Sequence, residues 1–298
     1  MTKGFSILRL LSLAIVASGA GATAAVAADA TPNFAPTTQS AWVGIGIGAL
    51  LPVPGSPKPV GQDPAYPYIP NGTPGKQPTQ RVSDISNPNL MQWAKDAMKK
   101  DNEEVLRGKF AYTARAACTA AGVPGFDVLL GGALQILQSP REVTMIFSGN
   151  SETRHIALDV PHAANPKPSF YGDSVGHYEG DTLVVDTIGL VTRTFADFFF
   201  TPHTDKLHVV ERFEVLPGGK TMDARIRVED SGAFTGPWEA VQHYRRVEPG
   251  VAENETPLSP ISGSTAAGPL IERICAENAH NYFGGGIAPI PQATKADF

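Results

Sequence analysis

Glu211 has the setting that most suggests chemistry. In residues 207–213 the alternation puts Leu207, Val209, Glu211 and Phe213 on one face of a strand and His208, Val210 and Arg212 on the other. If the first face is the interior, a carboxylate stands among apolar neighbours. Burial alone raises a carboxyl pKa and suits it to proton transfer, whereas an adjacent arginine lowers it and keeps the group ionised. The first case makes Glu211 a general base or a ligand-orienting group. The second makes it half of a structural Glu–Arg pair, the commoner fate of buried charge. Asp186 ends the run LVVD in phase with Val184. It lies at a barrel mouth if Val184 faces in, and caps the following turn if Val184 faces out.

Histidines supply the other candidates. His203 and His208 fall in TPHTDKLH, and His155 and His162 lie near a strand and the loop after it. With Asp205, Asp186 or Glu211 they have the residue types of a zinc or iron site. No H-x-H or H-E-x-x-H signature accompanies them, so no cofactor is expected and a metal ion stays an alternative. A metal-free pair, such as His203 with Asp205 or Glu211, also suits acid/base work. The catalytic candidates are therefore His203, Glu211, Asp186 and His162. GDSVG at 172–176 matches G-x-S-x-G, but Ser174 leads into a hairpin rather than a helix, so a nucleophile elbow is not expected. GIGIG, with Gly44, Gly46 and Gly48, opens no helix and is no dinucleotide fingerprint.

Four phenylalanines, Phe195, Phe198, Phe199 and Phe200, sit in a connection between strands. Either they plug one end of a barrel or they line a pocket for an apolar or aromatic ligand. Tyr178, Phe234 and Trp238 are candidates to join them.

The elements that must position these groups are mostly strands. Short alternating runs at 134–138, 142–148, 152–158, 174–178, 182–187, 207–215, 221–228 and 238–247 are separated by Gly, Pro, Asn and Asp turns. That pattern predicts an antiparallel barrel, with a β-sandwich as the alternative. One helix is predicted over 87–108, with Asn87 or Asn89 capping and Leu90, Trp93, Ala94, Ala97 and Met98 at helical spacing. Trp93 reads as a packing residue. Residues 29–83 carry prolines too often for helix or central strand and read as an extended arm. Within it AWVGIGIGALL, 41–51, suits an edge strand or a segment docked on the core. The barrel domain is expected over 84–250, and 251–298 as a surface strap.

The N-terminus reads as a secretory signal. Lys3 and Arg9 precede an apolar run, and Ala25-Val26-Ala27-Ala28 offers a cleavage site, so residues 1–28 are expected to be removed on export to the periplasm or beyond. The apolar run is too short to anchor the chain comfortably in a bilayer, and no later stretch is long and apolar enough to span one. A net charge of −5 with no basic stripe argues against a nucleic-acid partner. In an oxidising compartment Cys118 and Cys275 are expected to form one disulfide, tying the strap to the core; two separate buried thiols are the alternative.

Several phrases carry a resemblance over most of the chain from about Leu90. They are the 108–124 segment with its CxxxGVP, LQSPREVTMIF, GDSVGHYEGDTLVVDT, TPHTDKLHVVERF, VEDSGAFTGPW and CAEN at 275–278. The chain resembles a family of secreted proteins common in soil and freshwater bacteria. The resemblance implies a lipocalin-like antiparallel barrel and no particular reaction. Where relatives carry Trp after the Gly-His pair, this chain has Tyr178, and its FADFFF stretch is unusually aromatic. Both departures imply a pocket tuned to its own ligand.

Three functions are compatible with these features. The first is an exported enzyme, a lyase, isomerase or hydrolase, acting on a small apolar or aromatic molecule by side-chain acid/base chemistry. The second is a non-catalytic, lipocalin-type binding protein for such a molecule. The third is an envelope-associated structural module, suggested by the Pro-rich arm. Oligomeric state is not encoded in any of these signals.

Overall fold

The computed structural model describes residues 1, 31–37, 40–45, 50–69, 73–108, 120–128, 133–147, 152–247, 280–281 and 286–287. The expected signal segment, Cys118, Cys275 and nearly all of the expected strap lie outside the described residues. In chain order the elements are β1 (Ala41–Ile45), β2 (Leu51–Pro52), α1 (Gln92–Leu106), α2 (Gly125–Val128), β3 (Ala133–Gln138), β4 (Glu142–Phe147), β5 (Glu152–Leu158), β6 (Asp173–Glu179), β7 (Thr182–Ile188), β8 (His208–Val215), β9 (Thr221–Glu229), β10 (Trp238–Val247), β11 (His280–Asn281) and β12 (Gly286–Ile287).

Nine of the strands close into a lipocalin-like barrel, β1-β3-β4-β5-β6-β7-β8-β9-β10 and back to β1. The pairing of β1 with β10, Ala41↔Val247 through Ile45↔His243, closes the ring and excludes a sandwich. β1 was expected at an edge or docked outside. It is instead a full member of the wall, between β10 and β3. β2 continues along the same edge of β10, with Ala240 opposite Pro52.

A ring with an odd number of strands cannot alternate direction throughout, so at least one neighbouring pair must run parallel. Here it is β5–β6, joined only through Ala157↔Val175 and Leu158↔Gly176. A parallel pair needs a crossover rather than a tight turn, and residues 159–172 supply it.

The interior is layered along the barrel axis. At one end Val209, Ile226, Val228, Trp238 and Ala240 pack with Leu90, Ala94, Met98, Phe198 and Phe199. At the other, Phe213, Met222, Ala224 and Tyr244 pack with Trp42, Ile136, Met145, Leu183 and Val185. Removing each such side chain from water contributes about 1.5–3 kcal/mol. Between the two layers, on β8, Glu211 sits one inward position from Val209 and one from Phe213. The outer face of β6 to β10 bears cross-strand ion pairs, among them Arg212–Glu179 and Arg225–Glu239. That is the reverse of a lipid-facing barrel wall. Among the described residues no helix is long and apolar enough to cross a membrane.

Helix α1 covers the first end of the barrel with Ala94, Met98, Asn102 and Val105. Two expectations about it are corrected. It starts at Gln92 with Met91 at the N-cap, not at an asparagine. Trp93 lies on the outer side, 42 % exposed, with its indole N–H donating to the Gly232 carbonyl at 2.6 Å. Asn102, inside the helix, grips Ser83 by its backbone N–H, hydroxyl and carbonyl at 2.8, 3.0 and 2.8 Å. That fixes the end of the Pro-rich arm against the helix.

Candidate functional site

The described cavity lies outside the strand wall, at the end covered by α1. Its volume is about 520 Å³, within the range of small-molecule sites. Leu50, Val60, Gln62 and Tyr68 come from the arm, Asn89 from the segment before α1, and Phe198 and Phe199 from the β7–β8 connection. Three of these residues present buried polar atoms with no hydrogen-bond partner: Gln62 Oε1, Tyr68 Oη and Asn89 Nδ2.

Their orientations are determined by what their other atoms do. The Gln62 amide nitrogen donates to the Tyr66 and Thr79 carbonyls at 2.8 and 2.9 Å, which identifies its free atom as the oxygen. Asn89 Oδ1 accepts from Thr235 Oγ1 at 2.9 Å and the Gly236 N–H at 3.0 Å, which leaves the amide N–H groups. Asn89 itself is 6 % exposed. Leaving a buried polar group unsatisfied costs about 1–3 kcal/mol, so three such groups in residues of one cavity wall mark it out.

Arg81 adjoins this cavity. Its guanidinium carbon lies 4.5 Å from the ring centre of Phe198 and 4.2 Å from that of Phe200. Its backbone is left-handed, φ 68°, as is that of Phe200, φ 60°. Such conformations cost of order 1–3 kcal/mol in residues other than glycine and cluster at functional sites. Arg81 is partly exposed with Nε buried and unpartnered, and among the described residues it has no hydrogen bond and no carboxylate partner. Burial lowers its pKa to about 10, against the raising effect of the Tyr68 side chain. Burial likewise pushes the Tyr68 hydroxyl up to about 12, partly offset by the Arg81 charge. At neutral pH Arg81 is a cation and Tyr68 a neutral phenol.

Phe198 and Phe199, edge to face at 5.6 Å, pack into the barrel-end core and line the cavity. Phe200, beside Arg81, packs on Phe195 with ring centres 4.8 Å apart and planes tilted by 48°. Asp197 shapes this turn. It is 2 % exposed and accepts from the Phe199 N–H at 2.8 Å, the Thr201 N–H at 3.2 Å and the Thr201 hydroxyl at 2.6 Å. Burial nevertheless raises its pKa to about 6, because the three hydrogen bonds offset only part of the desolvation.

Glu211 takes the structural role. It faces inward as the alternation predicts, fully buried, and meets Arg154 of β5. Arg154 also reaches Ser174 and Thr187, the latter at 3.0 Å. Burial works against both charges, but their mutual attraction outweighs it, holding Glu211 below and Arg154 above the usual range. Asp127, from α2, joins this layer and accepts from the Tyr244 hydroxyl at 3.1 Å. Its other oxygen lies outside hydrogen-bond geometry. Burial first, then the Glu211 charge, pushes its pKa well up. Ser174 is buried within this network and is not presented as a nucleophile.

His203 is also buried, 3 % exposed, but apart from any carboxylate bond. Its Nδ1 donates to the Thr204 carbonyl at 2.8 Å, which leaves Nε2 to accept from Thr194 Oγ1 at 2.8 Å. Burial lowers its pKa and keeps it neutral. Pairing with Asp205 or Glu211, one sequence expectation, does not occur.

Asp186 is neither at a barrel mouth nor a turn cap. Leu183, Val185 and Thr187 face in, and Asp186 lies on the outer face of β7. Its Oδ1 is shared by His162 Nε2 at 3.0 Å and His208 Nε2 at 2.9 Å. His162, on the crossover, also binds Asp173 through Nδ1 at 3.0 Å. The hydrogen bond from His208 lowers the Asp186 pKa, and the same bond raises that of His208. Among the described residues no group of three His, Cys, Asp or Glu side chains is disposed around a common metal position.

Of the predicted ligand residues, Phe198 and Phe199 line the cavity, while Phe195 and Phe200 pack against each other and are not among its lining residues. Two are corrected. Trp238 is fully buried in the barrel core, edge to face with Phe234 at 6.0 Å. Tyr178 packs at the opposite end and accepts from Gln138 at 2.9 Å. Arg81, Tyr68, Gln62 and Asn89 were not anticipated; the Pro-rich arm has no periodicity to show which side chains turn inward. The fold and cavity define a closed β-barrel protein with a small-molecule-sized pocket outside its wall. Comparison with protein-family models, with curated proteins and with solved structures gives no match.

Proposed function

We propose that this protein binds a small, largely apolar molecule in the pocket between its N-terminal arm and the covered end of its barrel. The observation that carries the reading is an apolar cavity of about 520 Å³ whose wall includes Gln62, Tyr68 and Asn89, three residues that each keep a buried side-chain polar atom without a hydrogen-bond partner. Few, fixed polar groups on apolar walls are what orient a ligand. The candidate catalytic groups do not gather there, which favours binding over turnover. The leader-like 1–28 stretch supports export, and hence a periplasmic or secreted site of action. A neutral fluorescent dye, N-phenyl-1-naphthylamine, tests the pocket. Saturable one-site binding is expected, abolished by Ser86→Trp, since Ser86 is an exposed residue at the cavity wall. Binding that is absent in the native protein, or indifferent to that substitution, sinks the reading.

Asp186 supports a second reading, an acid/base enzyme. One carboxylate oxygen shared by two imidazoles, all partly exposed, can pass a proton between them. Turnover of a panel of aryl esters that falls at least tenfold in both Asp186→Asn and His208→Gln favours it. Unchanged turnover removes it.

A further inference from the structure

Resting on the pocket reading above, we infer that the ligand is a small aromatic acid whose anionic group is held by Arg81. The hydrogen-bonding inventory gives the first argument. Lys58, Tyr68 and Asn89 in the wall and Arg81 beside it carry donors, against the Gln62 amide oxygen and the Asp84 carboxylate, whose Oδ1 already accepts from Ser86. A carboxylate or sulfonate is acceptor-only and matches that excess of donors.

The placement of Arg81 gives the second. Cations are normally paired with carboxylates where they are partly buried, and this one is not. Its guanidinium carbon lies over the rings of Phe198 and Phe200, at 4.5 and 4.2 Å from their centres. Its Nε is buried, but its terminal N–H groups have no hydrogen-bond partner among the described residues and can meet an anion side by side, a geometry in which arginine recognises planar oxyanions. Phe198 is also a wall of the cavity, as is Tyr68, whose hydroxyl is near enough to Arg81 for each to influence the other's ionisation. The ligand body would lie against Phe198 and Phe199, with its charged end toward Arg81 and Tyr68.

The backbone gives the third. Arg81 and Phe200, in contact with each other, are both left-handed without being glycine. The hydrogen bonds of Asp197 hold the Phe199–Thr201 backbone, and those of Asn102 hold Ser83, two residues from Arg81. The cation and its aromatic support are thus set by two independent anchors.

Two dyes that differ by one sulfonate separate this inference from the pocket reading. N-phenyl-1-naphthylamine is neutral, and 1-anilinonaphthalene-8-sulfonate is its anionic counterpart. The native protein is expected to bind the sulfonate at least about tenfold more tightly, the size of one charge-assisted contact. Arg81→Gln should bring the two dyes within about twofold by weakening only the sulfonate. Arg81→Lys should keep part of the preference, because the charge survives without the side-by-side geometry. Unchanged binding of the neutral dye to Arg81→Gln shows that the pocket is intact.

Equal affinities in the native protein overturn the inference and leave the pocket standing. So does a sulfonate preference that survives Arg81→Gln, or an equal loss of both dyes in that variant with the fold retained by circular dichroism. If neither dye binds, or Ser86→Trp affects neither, the pocket reading fails and takes the inference with it.

Discussion

Arg154 and Glu211 meet edge to edge in the middle of the barrel, Nη1 to Oε1 at 2.9 Å and Nη2 to Oε2 at 2.5 Å, with both side chains fully buried. Removing one member leaves the other charged, dry and unpaired. Glu211→Gln or Arg154→Met alone should therefore cost about 3–5 kcal/mol in urea unfolding. The double variant Arg154→Met, Glu211→Leu should be distinctly milder than either single change, since no charge is stranded. A double variant as damaging as the sum of the singles would mean that the pair contributes little as a pair.

Asp197 should make the stability of the Phe turn depend on pH. Its folded pKa of about 6 lies above the ordinary 3.8, so between those values the folded chain holds a proton that the unfolded chain has lost. The resulting contribution is fully present below about pH 4 and is lost as pH rises through about 6, a change on the order of 3 kcal/mol. Asp197→Asn cannot titrate. The stability of the native chain relative to this variant should decline by that order between pH 4 and pH 7 in denaturant titrations. A flat difference would show that the carboxyl is not desolvated.

His208 should titrate above its ordinary pKa because it donates to Asp186. Its stabilising contribution is present in full below about pH 6.5 and lost as pH rises through the higher folded value. NMR titration of His208 should show the elevated pKa in the native chain and a lower one in Asp186→Asn. His162→Ala should release the 159–172 crossover, since His162 ties it to Asp186 and Asp173 at 3.0 Å each. Faster amide exchange within 159–172, with the barrel strands still protected, is the expected result.

The GDSVG segment is structural. A Cβ on Gly172 would lie 2.3 Å from the Ile188 carbonyl oxygen, and the residue has φ +60°. Left-handed backbone costs a side-chain-bearing residue about 1–2 kcal/mol, before that collision is relieved. Gly172→Ala should thus lose at least about 2 kcal/mol of stability by denaturant titration. A fluorophosphonate reagent should leave Ser174 unlabelled in the folded protein, because its hydroxyl is committed to Thr187 at 3.0 Å inside the barrel. Labelling at Ser174 would contradict its place in the core.

Much of the wall was legible from the residues alone. Two-residue alternation is a local property, and it placed Trp238–Val247 at its observed bounds and put Val209, Glu211 and Phe213 on the inward face of β8. The aromatic connection also announced itself, because four phenylalanines in a loop must find cover. Alternation, however, says that a strand has two faces without saying which one is inside. For Asp186 that choice depends on the neighbouring strands, and it turned the residue outward to two histidines. Ring closure is not local either. It recruited β1 into the wall, and its odd strand count required the parallel β5–β6 pair. The partner of Glu211 lies 57 residues away in the chain, on a strand brought opposite only when the barrel closes. The pocket depends on the same closure. Its walls come from the arm, the approach to α1 and the β7–β8 connection, and only packing at one barrel end brings Gln62, Tyr68, Asn89 and Phe199 around a common space.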